Sequence, residues 1–220
     1  MTRHFVVAGA QRSGTTLLYQ LLDAHPEIEM ARPLRPEPKF FLLHDSLDGY
    51  RALFRGKPGA RVFGEKSTSY MERGDVAEKV HALLPDVKAI FLLRDPVERA
   101  LSNYRFSVES GVETVPIEDA LRLEDRPFDR AQFSVSPFAY VARGHYARLL
   151  EPWERALGRE RLFLMTLEEL PSGMSKLLQW LGVDPSFAAP IPAQPINATS
   201  MNLEIREELR RFLIAQYAES

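Results

Sequence analysis

Short runs rich in apolar residues, each the length of a strand, recur along the chain at Phe5–Ala8, Arg61–Gly64, Lys88–Leu93 and Arg161–Met165. Between them apolar positions fall every three or four residues, the helical period. That pattern predicts helices over Thr15–Ala24, Asp75–Leu84, Val97–Ser110, Gly144–Ala156 and Ser172–Leu181, with a last one over roughly Asn202–Tyr217. The first carries Leu17, Leu18, Leu21 and Leu22, and the last an imperfect apolar face of Leu203, Ile205, Leu209, Phe212, Leu213 and Tyr217. Asp75 is the expected N-cap of its helix and Pro85 its stop, while Pro96 suits the first turn of the helix that follows it. Strands alternating with helices imply βαβ units, so the expected fold class is α/β, with a central, mainly parallel sheet between two layers of helices. Ligands of such sheets sit outside the carboxyl ends of the strands.

Three proline-bearing stretches fit no regular element: Ala31–Lys39, Arg126–Pro137 and Ala188–Thr199. Loops of that length on a rigid scaffold are where binding residues concentrate.

Composition narrows the possibilities. At 220 residues a single domain over 1–220 is expected, with enough chain to bury a sizeable core. A formal net charge of −2 argues against a protein that coats nucleic acid. There is no cysteine, which excludes disulfides, thiolate metal sites and cysteine nucleophiles. The chain runs from Met1 almost at once into its first strand, and no apolar stretch approaches the ~20 residues of a spanning helix. A soluble, cytoplasmic protein is therefore expected. His4, His25, His44, His81 and His145 show no metal-ligand spacing, so no metal is expected.

The chemistry concentrates in two segments. In Gly9-Ala10-Gln11-Arg12-Ser13-Gly14-Thr15-Thr16, two glycines with four residues between them lie between a strand and a helix. Backbone N–H groups and a helix N-terminus there cradle an anion. Thr15 stands where a nucleoside-triphosphate loop places its lysine, and a cation, Arg12, lies within the loop instead. The loop gives the fold a P-loop-like character but suits an anionic nucleotide other than ATP or GTP; alternatively it is a tight turn with Arg12 in solvent. In the second segment a strand ends at Arg94, Asp95-Pro96 opens a helix, and Ser102 follows two turns later. Arg94 and Ser102 offer donors to a further phosphate; otherwise Arg94 pairs with nearby acids and Asp95 only caps. Two phosphate sites at one sheet edge imply a nucleotide with phosphates at both ends.

Together these segments resemble the sulfotransferases that use 3′-phosphoadenosine 5′-phosphosulfate. Glu37-Pro38-Lys39-Phe40-Phe41 and Gly64-Glu65-Lys66-Ser67-Thr68-Ser69-Tyr70 look like the carbohydrate-modifying branch, which includes the heparan sulfate enzymes. The resemblance implies that Arg12, Ser13, Gly14, Thr15 and Thr16 bind the 5′-phosphosulfate, and Arg94 and Ser102 the 3′-phosphate. It makes Glu37 the general base and places Arg12 and Lys66, as cations, at the reaction. Arg12 holds a position that is often lysine in the family, and since arginine does not give up a proton its role is electrostatic. Lys39 and Phe41 are assigned to the acceptor; by their residue types alone, Lys39 is equally a solvated charge, and Phe40 and Phe41 are either anchors of the Glu37 loop or an apolar floor. Glu65 is the rival base, or a group that orients Lys66 or ends the strand. The implied reaction moves a sulfuryl group to a hydroxyl, or an amine, of a carbohydrate or small molecule. The partners are then the donor nucleotide and the acceptor, with no nucleic acid. The alternatives are a P-loop kinase for a small molecule and a nucleotide-binding relative that does no chemistry.

Overall fold

The computed structural model describes residues 3–190, 201 and 205–218. Five strands form one sheet: β1 (Arg3–Gly9), β2 (Ile28–Met30), β3 (Val62–Lys66), β4 (Lys88–Leu93) and β5 (Leu162–Thr166). Their order is β2-β3-β1-β4-β5, and every pairing is parallel. Helices α1 (Thr15–Ala24), α2 (Phe40–Leu43), α3 (Leu47–Arg51), α4 (Gly74–Leu83), α5 (Pro96–Glu109), α6 (Ile117–Ala120), α7 (Tyr146–Leu157), α8 (Leu170–Leu181) and α9 (Glu207–Tyr217) occupy the connections and the C-terminal part. The α/β, sheet-between-helices architecture read from the periodicity is thus the one observed.

Alternation along the strands splits the core between the two faces. Val6 and Ala8 of β1 and Ala89 and Phe91 of β4 pack with Val76 and Val80 of α4 and with Trp153 of α7. Phe5, Val7, Ile90 and Leu92 face the other way, onto Leu18 and Leu22 of α1 and Leu177 and Leu178 of α8. Because both faces are covered, β1 from Phe5 onward reads as a continuous apolar run with no polar side. Trp153 is fully buried, its ring edge-on to Phe91 at 5.3 Å. Trp180 is half-buried, with the Lys88 ammonium 4.5 Å above its ring. A third cluster joins Val97 and Leu101 of α5 to Ile117 of α6 and to Leu209 and Leu213 of α9.

Some elements depart from the sequence reading. β2 was not predicted: it has three residues, and Glu29 interrupts its apolar pattern. That carboxylate is buried and accepts the backbone N–H groups of Gly56 and Lys57 at 3.1 and 2.8 Å, so it serves the loop that leads into β3. Asp75 is not an N-cap. Helix α4 begins at Gly74 after Arg73, and Asp75 in its first turn pairs with Arg73 and Lys79. Asp95 does cap α5, accepting the Glu98 N–H at 2.8 Å, with Pro96 at the first helical position. Helix α7 starts two residues later than expected and α8 two residues earlier. Of the Ala188–Thr199 connection, residues 191–199 lie outside the described residues, as do Asn202 and Leu203 of the expected last helix. Among the described residues, no helix is long and apolar enough to cross a membrane.

Candidate active site

β1 and β4 end side by side, which brings the loops after Gly9 and Leu93 to the same edge of the sheet. In the first loop Gly14 takes φ 83° immediately before α1. That left-handed backbone calls for glycine, and a Cβ there would also push aside the Leu167 methyl, 2.6 Å away. No side chain caps this helix and no acid lies in its first turn. Its leading N–H groups and the positive end of its dipole are therefore left for an external anion.

Arg12 sits in the same loop at φ 66°. Its Nε donates to Ser102 Oγ on α5 at 3.2 Å, and its guanidinium lies 4.7 Å from the centre of the Phe106 ring. Burial first, and the charge of Arg94 second, hold the Arg12 guanidinium below its ordinary pKa. Loop, strand end and helix thus gather two arginines and a serine that are far apart in sequence. Two such cations repel, and a phosphate between them offsets the repulsion.

The 31–39 loop brings Glu37 to the other side of β1, against the end of β3. One carboxylate oxygen of Glu37 pairs with Lys66 Nζ, and the other accepts the Thr68 N–H at 2.9 Å. Thr68 Oγ1 lies 3.1 Å from that second oxygen. Lys66 is 4% exposed and Glu37 18%, so the pair is largely shielded yet open on the carboxylate side. Arg12, Thr15, Thr16, Glu37, Lys39 and Lys66 all line one cleft of about 560 Å³, together with Arg35, Thr68, Phe106 and Glu109.

The family model for the sulfotransferase domain matches residues 2–189. The chain belongs to the sulfotransferase family. It is 28% identical over 169 residues to mouse heparan sulfate glucosamine 3-O-sulfotransferase 3B1, covering 76% of this chain and 42% of that protein. It is 30% identical over 171 residues to human heparan sulfate glucosamine 3-O-sulfotransferase 6, covering 76% and 47%. The chain thus spans less than half the length of these curated relatives. A solved sulfotransferase from Alicyclobacillus acidocaldarius superposes with a TM-score of 0.80 at 28% identity, over 100% of this chain and 92% of that one.

In this member of the sulfotransferase family, several residues lie elsewhere than expected. Phe41 does not face an acceptor. It is 1% exposed and packs against Phe40, Tyr50 and Tyr70, so both phenylalanines anchor the Glu37 loop. Ser13 is fully buried and outside the cleft lining, which leaves Thr15 and Thr16 as the hydroxyls of this loop that line it. Arg94 and Ser102 are likewise outside this lining, and Ser102 Oγ accepts the Arg12 Nε–H. Glu65 does not orient Lys66. Successive residues of β3 point to opposite faces, and Glu65 is fully buried, accepting hydrogen bonds from Ser67 Oγ and from Tyr70 Oη at 2.8 Å. The sequence reading gave no role to Thr68 or Phe106, although Thr68 lies inside a quoted motif and Phe106 one turn beyond Ser102.

Burial pushes the Glu65 carboxyl up to about 7, against the pull of its Ser67 and Tyr70 hydrogen bonds. The sign follows directly. The folded value exceeds the unfolded one, so folding disfavours the ionised form. The destabilisation is absent below about pH 4.5 and fully present above about pH 7. Besides those hydroxyls, the titratable groups acting on it are Glu37 and Tyr50. Relative to Glu65→Gln, the parent should lose about 3 kcal/mol of unfolding free energy between pH 4.5 and 8. Urea titrations of both proteins at the two pH values measure this, and a pH-invariant difference rules it out.

Proposed function

We propose that this cleft transfers a sulfuryl group from 3′-phosphoadenosine 5′-phosphosulfate to a hydroxyl of a carbohydrate acceptor. The observation that carries the reading is the union, in one cleft, of an uncapped helix N-terminus flanked by Arg12 and a carboxylate, Glu37, held in place by Lys66 and Thr68. The names of the curated relatives support the same chemistry, with the glucosamine units of heparan sulfate as their acceptor.

The donor, when bound, supplies a sulfuryl group on a phosphate leaving group. The α1 amides, Thr15, Thr16 and Arg12 would hold its 5′ end, and Arg94 and Ser102 its 3′-phosphate. Glu37 accepts a hydrogen bond from the acceptor hydroxyl on a free lone pair and takes the proton as the oxygen attacks sulfur. Lys66 and Thr68 keep that carboxylate aimed at the cleft. Arg12 and the helix amides meet the negative charge that grows on the bridging phosphate oxygen. No proton is asked of Arg12.

Calorimetric titration with adenosine 3′,5′-bisphosphate and with ATP, each with and without Mg²⁺, tests the nucleotide assignment. Metal-independent binding of the bisphosphate with weak ATP binding is expected. Tight, Mg²⁺-dependent ATP binding without bisphosphate binding would overturn it in favour of a kinase.

A further inference from the structure

Beneath the cleft lies a buried acid that the transfer chemistry does not use. Glu65 is 0% exposed, and its carboxylate is met by two hydroxyls, Ser67 Oγ and Tyr70 Oη. Each hydroxyl also faces the backbone of the loop that carries Glu37. Ser67 Oγ accepts the Lys39 N–H at 2.8 Å, and Tyr70 Oη accepts the Phe41 N–H at 3.0 Å. Two amides of that loop, with one residue between them, therefore reach one buried carboxylate, each through a hydroxyl.

We propose that Glu65 is a positioning residue: by anchoring the Lys39–Phe41 backbone through Ser67 and Tyr70, it sets where Glu37 stands in the cleft. The inference rests on the sulfotransferase reading for its kinetic part, and on the hydrogen-bond geometry alone for its structural part.

The polarity of the arrangement carries the argument. An ionised carboxylate only accepts, so both hydroxyl protons must point toward it. That leaves the hydroxyl lone pairs aimed at the amides of Lys39 and Phe41. Glutamine has nearly the same shape, but its neutral oxygen, at the position both hydroxyls reach, is a weaker acceptor than the carboxylate. Its NH₂, in place of the second oxygen, faces Tyr70 Oη and competes with the Phe41 N–H for the lone pairs of that hydroxyl, so the loop contact weakens. The loop has reason to need the anchor, because Lys39 is held at φ 50°, a conformation that a non-glycine residue keeps only when its surroundings impose it. Glu37 lies two residues upstream, and a displacement of the order of 1 Å is enough to cost about 100-fold in rate.

The experiment compares the parent, Glu65→Gln and Tyr70→Phe by amide hydrogen exchange over residues 37–43, bisphosphate calorimetry, thermal melting and sulfuryl-transfer kinetics. For Glu65→Gln, faster exchange confined to Lys39–Phe41 is expected. Its kcat should be about 10–100-fold lower, with bisphosphate affinity and melting temperature at pH 8 no lower than in the parent. Tyr70→Phe should show the same pattern with a smaller loss of kcat, confined to the Phe41 amide. Unchanged exchange in Glu65→Gln overturns the proposal, as does parental kcat. A loss of kcat that merely tracks lost bisphosphate binding or lost melting temperature overturns it too. If the parent itself transfers no sulfuryl group, the activity reading fails, while the exchange data still decide whether Glu65 anchors the loop.

Discussion

Replacing Glu37 with glutamine lowers kcat by about 10²–10⁴-fold, the usual contribution of a general base. Adenosine 3′,5′-bisphosphate still binds within about threefold of the parent, since no contact assigned to the nucleotide is touched. Glutamine preserves the shape that Lys66 and Thr68 grip but cannot take the acceptor's proton. The substitution has a second consequence. Lys66, 4% exposed, loses its counter-charge, so the variant melts at a lower temperature. Kinetics are therefore compared well below that melting point, with bisphosphate affinity as proof of an intact fold. Turnover that survives at the parental rate removes Glu37 from the role of base.

The next largest effect belongs to Arg12. Arg12→Ala should reduce kcat by about 10²–10³-fold, the range seen when one preorganised donor to a developing anion is removed. A weaker donor KM should accompany it, because the guanidinium also faces the bound phosphate. The split matters: a rise in KM with kcat unchanged would make Arg12 a binding group alone. Arg12→Lys discriminates further. It keeps the positive charge but loses the Nε contact to Ser102 and the flat face over Phe106, so it should fall between the parent and alanine. A lysine variant faster than the parent would show that this position profits from a proton donor, against the purely electrostatic role.

What could be read from sequence was whatever lies close along the chain. The Gly9–Thr16 loop shows itself because glycines, hydroxyls and the leucine period of α1 are contiguous. Asp95 and Pro96 announce α5 by the same local logic. β2 gave no such signal, since three residues centred on a glutamate are too short for any period. Its place at the sheet edge is decided by pairing with β3. The Glu37–Lys66 contact joins positions 29 apart, and only the family resemblance pointed to it. Phe41 and Glu65 went astray for a related reason. Residue type and neighbours suggest that phenylalanine fits a sugar-binding floor and that Glu65, beside Lys66, is a base or a partner of that lysine, and the tertiary packing buried both. The alternation along β3 does separate Glu65 from Lys66 in principle, because adjacent strand residues never share a face. It does not say which of the two meets Glu37, since both are buried in the fold.

The strand order has a consequence for how the chain is made. β1 lies at the centre of the sheet but precedes all its partners in the chain. Its first partner in β3 is 59 residues further on, at Val62 opposite Arg3, and its β4 partner Lys88 lies 83 residues beyond Phe5. At about 5–20 residues per second of synthesis, the central strand waits about 4–17 s before both of its edges can be paired. During that interval Phe5–Ala8 is an uncovered adhesive segment on a nascent chain, held only by α1 packing against one face. The same central placement that aligns the loops of the site therefore makes translation speed and chaperone access determinants of how much active protein accumulates.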